Sequence, residues 1–118
     1  MKRRHRLRRP ADIGRVLAGR RLFAGAMLVA FAVPGAAEAR VGVAVSRQLK
    51  GAVQRNRVRR RLREVARAVL LGPDSPLSTG GIRYDVVLIA RPAAATAPFS
   101  QLASEAESIL DRLRAPGP

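Results

Sequence analysis

The stretch SRQLKGAVQRNRVRRRLREVARAVL, residues 46–70, carries the densest chemistry of the chain. Wound as a helix at about 100° per residue, it sets Asn56, Arg60, Arg63 and Arg67 on one side and Val58, Leu62, Val65 and Val69 nearly opposite. Arg55 and Arg59 fall between the two stripes, and Arg57 and Arg61 on the other flank. Such a helix turns hydrocarbon inward and a row of guanidinium groups outward. Glu64 is the only acid among seven arginines between positions 55 and 67. Like charges one turn apart destabilise a free helix, whereas a solvated surface helix mixes both signs. The pattern therefore asks for a polyanion from outside the chain. Guanidinium is planar and grips phosphate through two parallel N–H donors, which favours nucleic acid. Asn56 adds an amide that donates and accepts at once, suited to a base edge, a 2′-hydroxyl or a water on a metal ion, and equally to a plain helix surface.

No arrangement for catalysis by protein side chains accompanies this row. His5 is the sole histidine, and Asp12, Glu38, Glu64, Asp74 and Asp85 show no paired spacing. A protein nuclease needs a positioned base or a metal cluster. The chain has no cysteine, which removes disulfides and thiolate metal sites and suits a reducing cytoplasm.

The charge is one-sided. Residues 1–70 hold 19 Lys and Arg against three acids, a net of +16, and residues 71–118 hold four arginines against five acids, a net of −1. At 118 residues the chain fits one domain spanning 1–118. Residues 1–9 read as a flexible basic arm, and 114–118 as a frayed tail. Pro10, Asp12 and Gly19 are placed to open and close a short helix over 10–18, with Ile13, Val16 and Leu17 on one face.

The next segment, LFAGAMLVAFAVPGAAEAR over residues 22–40, imitates a secretory signal with its small-residue cleavage site. A capped helix carrying charge stands between the basic arm and the apolar run, however, and twelve residues are too few to span a bilayer. Phe23, Gly25, Met27, Val29, Phe31 and Val33 alternate with smaller residues, a strand pattern that Gly25 bends or divides. RVGVAVSR, 40–47, alternates again and is expected to pair with the preceding strand as a hairpin. A helix over 52–70, a strand over 83–90 and an amphipathic helix over 100–113 complete the order. The fold expected is α+β, a two-layer sandwich with a small four-stranded sheet and its helices packed on one face.

The run VGVAVSRQLKGAVQRNRVRRRLRE resembles the signature of the protein subunit of bacterial ribonuclease P. HRLRRPADIGRVL, Ala90-Arg91 and the terminal helix follow the family's order, so the likeness covers nearly the whole chain. The resemblance implies a left-handed βαβ crossover through the long helix, against the usual hand. It also implies that the RNA subunit, using Mg2+, removes the 5′ leader of precursor tRNA while the protein binds that RNA and the leader. On this reading Arg55, Asn56, Arg57, Arg59, Arg60 and Arg63, with Arg67 on the same face, contact RNA, and Asn56 is a candidate to assist a metal ion. Arg6, Arg8, Arg9, Arg40, Ser46, Arg47 and Arg91 match further positions at the nucleic-acid surface. The partners are then the catalytic RNA subunit and precursor tRNA, with no membrane and no obligate protein partner. The chain departs from the family where two aromatic residues line the leader cleft: Ile13 and Leu17 stand there, and Phe31 or Phe23 could supply a ring instead. A structural RNA-binding protein of ribosomal type shares size and charge but not the 46–63 motif.

Overall fold

The computed structural model describes residues 3–35 and 38–114. Helix α1 (Pro10–Leu17) begins on its proline, holds Asp12 in its first turn and buries Val16. Strands β1 (Arg20–Ala24) and β2 (Leu28–Pro34) pair antiparallel, so the apolar run that imitates a signal lies in a hairpin. The run is divided between Ala24 and Leu28, and a side chain at Gly25 would collide with Glu105, whose carboxylate accepts the Leu28 N–H at 3.0 Å. Strand β3 (Arg40–Val45) follows, then α2 (Ala52–Val65), a short α3 (Pro76–Thr79), β4 (Tyr84–Ala90) and α4 (Phe99–Arg114). Arg114 closes α4, and the rest of the expected frayed tail lies outside the described residues. Among the described residues no helix is long and apolar enough to cross a membrane.

The sheet order is β1-β2-β4-β3, with β2 and β4 antiparallel and β3 and β4 parallel. This corrects the expectation that 40–47 pairs with β2: β4 takes that place and α2 lies in the crossover from β3 to β4. The reason lies in YDVVLIA, which is apolar on both faces and on that account suits the middle of a sheet. Local alternation in the earlier strands held no information about a segment some fifty residues downstream.

The same strand corrects the single-face arrangement, while the α+β class and the four-stranded sheet stand. Val86, Leu88 and Ala90 face the main core with Leu28, Ala30 and Ala32 of β2, under Val58, Leu62, Leu102, Ala106 and Ile109 of α2 and α4. Val87 faces the other way, into a smaller cluster with Leu7 and Val16 that Ile13, Phe31, Val33 and Ile89 flank. Helix α1 thus covers the opposite face of the sheet, and the architecture is three layers.

The long helix does not keep one winding. Residues Ala66–Leu70 form a π turn in which the Leu71 N–H donates to the Ala66 carbonyl at 2.9 Å. Its wider turn keeps Ala66 and Leu70 beneath Leu62, so they are fully buried and Val69, expected in the stripe, is only partly so.

From Arg3 onward the arm is placed against the sheet. It begins with a 3-10 turn (Arg3–His5). Arg6 then bridges Val41 in parallel, and the Leu7 N–H donates to the Val41 carbonyl at 3.0 Å. Gly42 makes this approach possible, since a Cβ there would lie 2.7 Å from the Leu7 carbonyl oxygen. Gly42→Ala is expected to lower stability by about 1–3 kcal/mol through overpacking. A thermal midpoint equal to that of the unmodified protein would contradict the seating of the arm on β3.

Candidate nucleic-acid interface

Buried Val58, Leu62 and Val65 fix the rotation of α2, and this leaves Asn56, Arg57, Arg60, Arg63 and Arg67 exposed. Among the described residues none of the arginines of α2 and its π turn lies within 4.0 Å of a carboxylate. The first turn of α2 contains no acid, and its N-terminus, at Gly51, has no side-chain cap. The positive end of the helix dipole therefore adds to the field of the guanidinium row.

Two arginines of the run turn inward to the protein. Arg55 donates through Nη1 to the carbonyls of Ser46 at 3.0 Å and Leu49 at 2.9 Å, tying the β3-to-α2 connection to the helix. Arg61 donates to the carbonyl oxygens of Ala94, at 2.7 Å, and Ala97, anchoring α2 to the segment before α4. The spacing of the sequence could not separate these two from their neighbours, because guanidinium reaches backbone carbonyls as readily as phosphate.

Asn56 is held within the row: its Oδ1 accepts from Arg59 Nη1 at 3.0 Å. Among the described residues no group of three or more His, Cys, Asp or Glu could hold a metal ion.

Across from α2 the arm supplies a second basic surface. Arg6 and Arg8 line one groove together with Arg59 and Arg63, and Ile13, Leu7 and residues 41–43 complete its walls, enclosing about 210 Å³. Arg9, exposed and extended, caps α1 without a side-chain hydrogen bond. At the far end of the parallel strands the Ser46 N–H donates to the Ala90 carbonyl at 3.0 Å, which brings Ser46, exposed Arg47 and exposed Arg91 to one edge beside the start of α2. The Ser46 Oγ accepts the Gln48 N–H at 3.2 Å.

Arg40 has internal partners. Its Nε and Nη2 donate to Asp85 Oδ1 and Oδ2 at 3.2 and 2.9 Å, and Arg15 Nη2 reaches Oδ2 at 2.5 Å. Asp12 lies 3.6 Å from Arg40 Nη1, so this network joins α1, β3 and β4. Burial pushes the Asp85 carboxyl up, but the hydrogen bonds and charges of Arg40 and Arg15 outweigh burial and hold it below the usual carboxylate range. The hydrogen bond to Asp85 raises Arg40 in turn, against desolvation. Sequence reading missed Asp85 and Arg15, since their contact spans 70 positions.

Of the residues expected at a leader cleft, Ile13 packs against the small cluster under α1, beside the half-buried Phe31. Leu17 is left at the surface. Phe23 packs against the main core, and the Arg112 guanidinium lies 5.3 Å from its ring centre.

The sequence matches the family described as Ribonuclease P over residues 1–114. It is 41% identical over 112 residues to the ribonuclease P protein component of Chloroflexus aurantiacus, covering 93% of this chain and 78% of that one. With the same component of Ruegeria pomeroyi it shares 41% identity over 116 residues, 95% of this chain and 88% of that one. The fold superposes on the RNase P protein of Staphylococcus aureus with a TM-score of 0.71 at 24% identity, covering 93% and 95% of the two chains. For the RNase P protein of Thermotoga maritima the TM-score is 0.70 at 21% identity, covering 93% and 98%. With a motif centred on α2, a matching fold and relatives that align along almost its entire length, this chain belongs to the ribonuclease P protein component family.

Proposed function

We propose that this chain binds the RNA subunit of ribonuclease P and the leader of precursor tRNA, and so assists that RNA in removing the 5′ leader in the cytoplasm. The observation that carries the reading is the outward face of α2, where Arg57, Arg60, Arg63 and Arg67 stand exposed without a carboxylate partner among the described residues. Self-repulsion along such a row is relieved when phosphate enters it. Mg2+ held by RNA supplies the stabilisation of charge that phosphodiester hydrolysis needs. The side chains of this chain neutralise and orient the RNA backbone instead.

Reconstitution tests this. The chain alone is expected to leave precursor tRNA uncut, and its addition to a ribonuclease P RNA at low Mg2+ to restore cleavage. Absence of stimulation across a range of protein concentrations would contradict the proposal.

A further inference from the structure

We infer that β1 is the surface through which two copies of this chain would pair, and that Arg112 of α4 holds it shut, so that the sheet ends at β1 and the chain stays a monomer. This closure does not depend on RNA binding.

An open four-stranded sheet has two edges, here β3 and β1. Each edge strand offers a row of unpaired N–H and C=O groups, a template for a further strand. At β3 the chain covers its own edge, since Arg6 bridges Val41 and the Leu7 N–H donates to the Val41 carbonyl. Among the described residues no strand lies beyond β1.

What meets β1 instead is a side chain. Burial of Ile109 and Leu113 fixes the rotation of α4 and leaves Arg112, in its last turn, free to reach the hairpin. Its Nη1 donates to the Leu22 carbonyl at 3.0 Å, and its guanidinium lies 5.3 Å from the centre of the Phe23 ring. Among the described residues no other side chain bonds the β1 backbone. The contact falls at the irregular step of the strand. The register with β2 shifts between Arg21 and Phe23, which places Leu22 in a bulge. A bulge leaves its extra residue out of the ladder and bends the strand. Arg112 takes the carbonyl there, and only two residues remain on each side, Arg20 and Arg21 before it and Phe23 and Ala24 after it. Each piece is shorter than an ordinary strand.

A second barrier is electrostatic. Arg20 and Arg21 are exposed and, among the described residues, have no carboxylate within 4.0 Å. Pairing β1 with its copy would crowd four such arginines onto one short ladder, between two chains that each carry a net charge of +15. Salt screens this repulsion, the Debye length falling to about 3 Å at 1 M. The short-range bond to the Leu22 carbonyl persists, so salt separates the two barriers.

The test is sedimentation equilibrium of the full chain in about 0.1 M and about 1 M NaCl, with amide exchange of β1 read on the same samples. The unmodified chain is expected to be a monomer in both. Arg112→Met keeps a hydrocarbon stem over Phe23 but has no donor. In the higher salt it is expected to dimerise, with a dissociation constant at least about tenfold below the limit set by the unmodified chain, because a two-fold pair frees two carbonyls. Its β1 amides gain exchange protection on association. Arg112→Lys keeps the charge and a donor and stays monomeric. Arg20→Thr combined with Arg21→Thr leaves the α4 contact intact and stays monomeric in the higher salt. Any of these results would overturn the closure: a dimeric unmodified chain, a folded Arg112→Met monomer in the higher salt, association of that variant without added protection in β1, an Arg112→Lys chain that dimerises as the Met variant does, or a dimeric double Thr variant.

Discussion

Replacing Arg60, Arg63 and Arg67 together with Ala lowers affinity for ribonuclease P RNA by about 100-fold at 0.15 M salt, if each guanidinium neutralises one phosphate at about −0.7 to −0.9 in log–log slope. The slope itself becomes less negative by about 2 to 3. The thermal midpoint stays the same or rises, because the three side chains are exposed and their mutual repulsion is removed. Arg61→Ala is the matched contrast. It strips hydrogen bonds from the carbonyls of Ala94 and Ala97, so it costs about 1–3 kcal/mol of stability and leaves the salt slope unchanged. Equal salt slopes in the triple variant and the unmodified chain would show that the outward row meets no phosphate. A collapse of the fold in the triple variant would assign those side chains to the core.

Asp85→Asn is the second large effect, and it falls on stability. The carboxylate is 3% exposed and receives Arg15 and Arg40 at once. Its loss leaves two guanidinium groups facing an amide that neutralises neither. Removing one partner of a buried ion pair costs about 3–5 kcal/mol. Arg15 and Arg40 are 46% and 34% exposed and water relieves part of that, so about 2–3 kcal/mol is expected. The pH dependence follows from the lowered carboxyl pKa. A carboxyl with a folded pKa below its unfolded value of about 3.9 contributes fully above that value, and the contribution is lost as pH falls through the folded one. The gap between the unmodified protein and Asp85→Asn is therefore constant near neutrality and closes below about pH 4. Urea unfolding at several pH values reads it. A gap that persists unchanged into strong acid, or one absent at pH 7, would contradict the network.

The helices were legible in the sequence because each carries its own period: Pro10 and Asp12 mark α1, the valine and leucine stripe sets the rotation of α2, and Leu102, Ala106 and Ile109 set that of α4. Strand order was not legible, since Val86 and Val87 point to opposite faces and only the assembled sheet says which helix covers each. The candidate site divides in the same way. The outward row of α2 follows from rotation alone, and Arg60, Arg63 and Arg67 stand where spacing puts them. Arg40, Arg55 and Arg61 acquire partners from the tertiary fold, at sequence separations from 6 to 45 positions. The contact of the arm with the sheet was not legible, because its density of arginine masks a short alternation. His5 and Leu7 are too few residues to register as a strand, and their partners at Ala39 and Val41 belong to β3 and the turn before it.

Under the proposed function, phosphate is the missing counter-charge of the arginine surface. The most direct measurement is the affinity of the unmodified chain for ribonuclease P RNA as salt is raised. Contacts along α2 and the arm predict a straight log–log decline with a slope of about −4 to −6. A slope near zero would contradict the account.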